Sequence, residues 1–128
     1  MTQTKLQIKT TGIDHVVLWT KDVARAKKFY MDVLGMTLHQ ETKDQIFLKC
    51  GDHNMVALFD GGQRGIDVTS NHELQHMALN MELASYEETA ARLEEEGCEI
   101  THRGADPHCI YFRDPDGHRL QLLYSGHE

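Results

Sequence analysis

The 128-residue chain predicts an α+β fold made of two copies of a strand–helix–strand–strand–strand unit. Three observations carry this expectation. The same order of elements runs through both halves, a glycine stops the helix at an equivalent place in each, and a histidine sits at the matching position of each first strand. His15 and His76 are 61 residues apart, and the helix-ending Gly35 and Gly97 are 62 apart. In the last strands, Met55-Val-Ala-Leu-Phe59 matches Arg119-Leu-Gln-Leu-Leu123, which pairs Ala57 with Gln121 at a separation of 64. Loop insertions account for the slow growth in offset.

The first half opens with a strand, Ile13 to Thr20, in which Ile13, His15, Val17 and Trp19 share one face while Val16 and Leu18 share the other. Asp22 is placed to cap a helix whose apolar stripe is Val23, Ala26, Tyr30, Val33 and Leu34, ended by Gly35. Strands are expected over Thr37–Glu41, Gln45–Cys50 and Asn54–Asp60. The glycine-containing polar stretch 61–73 reads as a linker. The second half then repeats the order, with a strand over Leu74–Met81 and a capping box at Ser85-Tyr-Glu-Glu88. A helix lined by Tyr86, Ala90 and Leu93 follows, and then strands near Cys98–His102, Cys109–Arg113 and His118–Tyr124. Asp114-Pro-Asp-Gly117 forms the tight turn between the last two, with Pro115 presetting φ and Gly117 free to take a positive one. The chain is thus expected to be one domain over 1–128, with repeats over about 12–60 and 74–125.

Composition narrows the class of partner. Twenty acidic against thirteen basic residues give a net charge of −7, which argues against nucleic acid or an anionic membrane. Three cysteines, an odd number without metal-type spacing, point to a reduced, cytoplasmic protein. The N-terminal residues lack the apolar core of a secretory signal, and no apolar run reaches membrane-spanning length.

The candidate site follows from the repeat. Two such units packed about a local two-fold axis bring equivalent strand positions together, so His15, His76 and Gln121 converge and Ala57 becomes the silent fourth corner. Either histidine alone reads as a core residue with a satisfied hydrogen bond. Two at equivalent positions, opposite a polar residue on an otherwise apolar strand, read as metal ligands with open positions beside them. Gln121 would ligate through its amide oxygen and bring no charge.

Ile13-Asp-His-Val-Val-Leu, Gln75-His-Met-Ala-Leu and Tyr111-Phe-Arg-Asp-Pro-Asp-Gly resemble the vicinal oxygen chelate superfamily. That group includes glyoxalase I, the fosfomycin and bleomycin resistance proteins and the extradiol ring-cleaving dioxygenases. The resemblance runs from Ile13 to Tyr124. It implies a curved mixed sheet with the metal on its concave face, helices on its convex face, and a homodimer around a small-molecule substrate. It places the ligands at His15, His76 and Gln121, the last a departure from the family's usual glutamate. A glyoxalase I-like isomerisation lacks a base, because Ala57 and Gln121 offer none. The dioxygenase signature resembles His102, Ile110-Tyr111 and Asp114-Pro-x-Gly117. By that resemblance Tyr111 bonds a metal-bound catecholate oxygen and His102 handles protons or oxygen. An extradiol dioxygenase-like enzyme is therefore the leading expectation, using iron or manganese, with zinc or nickel also possible. A glyoxalase I-like lyase and a metal-free binding protein of the bleomycin-resistance type are the alternatives. Trp19, Ala57 and Arg119 are the expected substrate-facing residues, with Arg119 suited to an anion.

Overall fold

The computed structural model describes residues 5–70, 73–82, 86–102 and 109–124. Its elements run β1 (His15–Thr20), α1 (Val23–Lys28), a π-helical turn (Phe29–Val33), β2 (Thr37–Glu41), β3 (Gln45–Cys50), β4 (Asn54–Asp60), two short 3-10 turns (Gly62–Arg64 and Val68–Ser70), β5 (Met77–Met81), α2 (Tyr86–Glu95), β6 (Thr101–His102), β7 (Cys109–Arg113) and β8 (Arg119–Tyr124). Two four-stranded mixed sheets result, ordered β1-β4-β3-β2 and β5-β8-β7-β6. In each, the first strand pairs parallel to the last, and the rest of the ladder is antiparallel. The α+β class and the repeated strand order are as the sequence leads one to expect.

The strands of the first half fall where expected except at the start of β1, which begins at His15 rather than Ile13. The cause is the partner: β4 starts at Asn54, so the parallel ladder opens with His15 against Met55. For the same reason β5 begins at Met77, opposite Leu120, and His76 stands just ahead of the strand rather than inside it. The sixth strand is short, Thr101–His102, and Cys98 to Ile100 lie outside it. The stretch 61–73, expected as plain linker, carries the two 3-10 turns. Gly61 is buried there, and a β-carbon on it would lie 2.7 Å from Val68 Cγ2.

Asp22 caps α1 by accepting a hydrogen bond from the Arg25 amide, as its position predicts. The helix then widens: Leu34 N–H bonds to the Phe29 carbonyl, five residues back. The wide turn buries two neighbours at once, Phe29 against Phe112 and Tyr30 toward the β7–β8 turn. Ser85 of the expected capping box lies outside the described residues.

The core forms between the helices and one face of each sheet. Leu18, Val56, Leu58, Ile46 and Leu48 come from the first sheet, and Leu79, Ile110, Phe112, Leu120 and Leu122 from the second. Ala26, Phe29, Tyr30 and Leu93 supply the helical side of a single cluster. Among the described residues no helix packs on the opposite face of either sheet, and it is there that His15 and His76 lie.

Candidate functional site

Alternation along the ladders defines the open faces. On the first sheet β1 contributes His15, Val17 and Trp19, β4 contributes Met55, Ala57 and Phe59, and Phe47 of β3 stands opposite Ala57. On the second, Ala78 of β5, Gln121 of β8 and Tyr111 of β7 lie side by side. His76, two residues before Ala78, reaches the same face and meets Tyr111 edge-on, with 5.8 Å between ring centroids. His15 meets Phe47 in the same way at 5.3 Å, and both pairs cross at 73°. The repeat inferred from the sequence therefore extends to the surroundings of the two imidazoles.

Each imidazole is held on one side by the residue before it. His15 Nδ1 lies 2.7 Å from Asp14 Oδ2, and His76 Nδ1 is hydrogen-bonded to the Gln75 side-chain oxygen. An acceptor at Nδ1 fixes the proton there and turns Nε2 into a lone-pair donor, the arrangement that orients metal-binding histidines. Gln121 is 4% exposed, and its amide nitrogen donates to Cys109 Sγ at 2.8 Å. Its oxygen is then the atom left to a ligand. Two imidazole nitrogens and an amide oxygen suit a divalent cation of intermediate hardness. The second sheet brings His76, Gln121 and Tyr111 together, while His15 occupies the equivalent place on the first. No three His, Cys, Asp or Glu side chains group as a metal site among the described residues.

The remaining expected residues divide. Arg119 places its guanidinium 4.6 Å from the centre of the Tyr111 ring, so a cation flanks the histidine–tyrosine pair. Trp19 packs against Phe59, and Arg64 from the first 3-10 turn lies over both rings, at 5.7 and 5.4 Å. Arg64 was not legible beforehand, since it comes from the stretch read as linker. Ala57 is fully buried and presents only a methyl group. His102 pairs in register with Ile110, but its side chain lies outside those described.

The turn Asp114-Pro-Asp-Gly117 also ties the second half of the chain to the first. Gly117, at φ +91°, closes it through a bond to the Asp114 carbonyl. Its carboxylates then grip the first half. Asp114 accepts from Tyr30 Oη at 2.6 Å, and Asp116 accepts from the Lys21 amide at 2.9 Å and from Arg25 at 3.2 Å. His118 Nε2 reaches the Trp19 carbonyl at 2.7 Å. Burial pushes the Asp114 carboxyl up, against the lowering effect of Tyr30 and His118, and burial beside Asp114 pushes the Tyr30 phenol well up. Tyr30 on the buried helical stripe was the available signal for this clasp.

Residues 12–122 match the model of the family described as the Glyoxalase/Bleomycin resistance protein/Dioxygenase superfamily. A glutathione transferase, FosA of Serratia marcescens, is 28% identical over 112 residues, covering 87% of this chain and 79% of that protein. A metallothiol transferase, FosB of Staphylococcus saprophyticus, is 27% identical over 118 residues, covering 87% and 75%. The solved fosfomycin resistance protein FosX of Listeria monocytogenes, complexed with manganese(II) and sulfate, superposes with a TM-score of 0.72 at 19% identity, over 91% of each chain. At that identity the likeness is one of fold.

Proposed function

The chain belongs to the glyoxalase/bleomycin resistance protein/dioxygenase superfamily, and from that premise we propose that it is a divalent-metal enzyme acting on a small oxygen-rich molecule. The observation that carries the proposal is the matched setting of His15 and His76, each turned to offer Nε2. With Gln121 they supply three neutral donors. The metal would provide Lewis-acid activation of a substrate oxygen, and an anionic substrate would supply the charge the ligands lack. Manganese or iron suits this set best, with zinc or nickel as substitutes.

The reaction class follows the curated relatives, whose names are those of thiol transferases. We take the chain to add a thiol to an electrophilic carbon of such a substrate: the sulfur–carbon bond forms as a ring carbon–oxygen bond at that carbon opens, and the freed oxygen takes the proton the thiol gives up. Tyr111 orients the bound oxygens, and Arg119 and Trp19 line the approach. Ring-cleaving dioxygenation is the second reading, favoured by the contact of Tyr111 with His76 and resting further on His102. A glyoxalase I-like proton transfer is disfavoured. Among the open-face strand residues of β1, β3, β4, β5, β7 and β8 there is no Asp or Glu to act as base.

The whole chain acts as one unit of two repeats in this proposal, in a homodimer. Ile13, Val17 and Leu74, at 66%, 40% and 45% exposure, give the surface beside the histidines an apolar character suited to a second copy. Three free cysteines fit a reducing cytoplasm, and no helix among the described residues is long and apolar enough to cross a membrane.

Protein purified without chelator should hold about one manganese, iron, zinc or nickel ion per chain, or take one up. With manganese(II), glutathione and fosfomycin it should consume thiol. Failure to retain or regain any of these metals would end the enzyme reading. Metal binding with oxygen uptake on catechol, and no thiol consumption, would replace thiol transfer by the dioxygenase.

A further inference from the structure

We propose that Cys109 is a positioning residue that orients the side-chain amide of Gln121, turning its oxygen to the open face. The inference deepens the reading of Gln121 as a metal ligand and rests on it. Cys109 is fully buried at the start of β7, and Gln121 is nearly so in β8. In the antiparallel register Cys109 faces Leu123 and Tyr111 faces Gln121, so Cys109 is the diagonal neighbour of Gln121 on one face. The bond of 2.8 Å from Gln121 Nε2 to Cys109 Sγ is the one polar side-chain contact of that amide among the described residues. Across the sheet on the other side stands Ala78, which has no group to hold it.

The need for a holder comes from the chemistry of the amide. A carboxylate offers a lone pair whichever oxygen points outward. An amide does not: half a turn about its last torsion puts NH2 where the oxygen was, with nearly the same shape and no lone pair for a cation. Without a partner, the protein would divide between a form able to bind metal and one that repels it. Its apparent affinity would fall by the competent fraction. A sulfur lone pair accepting from NH2 selects the first form before any metal arrives. Cys109 is thus tied to the glutamine: with a carboxylate at position 121 its lone pair would have nothing to orient.

The test is a double-mutant cycle read by manganese(II) titration of metal-free protein, using wild type, Cys109→Val, Gln121→Glu and the double variant. Val fills the space of the thiol without a lone pair, and Cys109→Ser, which keeps an acceptor, serves as the conservative control. Cys109→Val should weaken manganese binding about twofold, the loss when an unheld amide divides evenly between its two forms, while Cys109→Ser keeps the wild-type affinity. In the Gln121→Glu background Cys109→Val should leave the affinity unchanged. Equal weakening in both backgrounds would mean a packing role and overturn the proposal, as would an unchanged affinity in Cys109→Val. A second readout needs no metal. The Gln121 side-chain NH2 should give a slowly exchanging pair of proton–nitrogen signals in wild type that exchanges faster in Cys109→Val. If wild-type protein binds no metal, the enzyme reading falls, and these signals alone decide whether Cys109 holds the amide.

Discussion

His76 stands edge-on to Tyr111 at 5.8 Å, and the imidazole of the other repeat meets its own β3 partner, Phe47, at 5.3 Å and the same 73° angle. One partner has a hydroxyl and the other does not. The two half-sites share a frame and differ in chemistry: Gln121 and Tyr111 supply polar groups on one side, and Ala57 and Phe47 are silent on the other.

The ligand assignment predicts an ordered series of metal affinities. His15→Ala and His76→Ala should each weaken manganese or iron binding at least tenfold, since each removes one of three donors. Gln121→Glu should tighten it, because a carboxylate adds the negative charge the neutral set lacks. Isothermal titration on chelator-stripped protein checks the order. A His15→Ala protein that binds as tightly as wild type would remove the first half from the site.

Tyr30 and Asp114 should control stability at high pH. Burial raises the phenol's pKa above its ordinary 10.0, so the folded state holds that proton more tightly than the unfolded chain. The contribution is complete below pH 10 and is lost as the pH climbs toward the folded value. Urea denaturation between pH 8 and 11 should show this decline, and Tyr30→Phe should flatten it. That variant should also cost about 1–3 kcal/mol near neutrality, because Asp114 loses a buried donor.

Asp114 itself has the opposite sign from most acid-sensitive carboxylates. Its folded pKa is raised above 3.8, so protonation favours the folded chain, and its contribution to stability declines as pH rises from about 3.8 through the folded value. Mild acid should therefore spare this clasp. Carbon-13 NMR of the Asp114 carboxyl should show a midpoint above that of a free aspartate.

Gly61→Ala should destabilise the fold by about 1–3 kcal/mol, because its new methyl group would overlap Val68 Cγ2 at 2.7 Å. Val68→Ala in the same chain should recover part of that loss. Thermal melts of the two single variants and the double variant decide it: additive losses would show that the residues do not clash.

The strands were legible because their signals are local. Gln45–Cys50 and Asn54–Asp60 are short apolar runs set off by polar or glycine-containing breaks, and the glycines at 35 and 97 mark helix ends through their positive φ. The pairing of Ala57 with Gln121 was legible as well, because duplication preserves register. What escaped the sequence depends on partners far along the chain. The widening at Phe29–Val33 answers to two buried rings that must reach Phe112 and Asp114, and no spacing rule encodes that. The shortened β1 and β5 reflect where β4 and β8 begin. The contact of Cys109 with the Gln121 amide was not legible either, since only the β7–β8 register sets the two side by side.

The hairpin that carries Gln121 is the same one whose turn grasps Tyr30, Arg25 and the Lys21 amide, and whose His118 grasps the Trp19 carbonyl. Greasy surfaces can slide by an ångström at little cost, whereas these directional grips cannot. The angle between the repeats is therefore set by bonds radiating from the loop next to the strand of Gln121. A substitution in that loop should act as misalignment, tilting one imidazole-bearing sheet against the other while each half keeps its own shape.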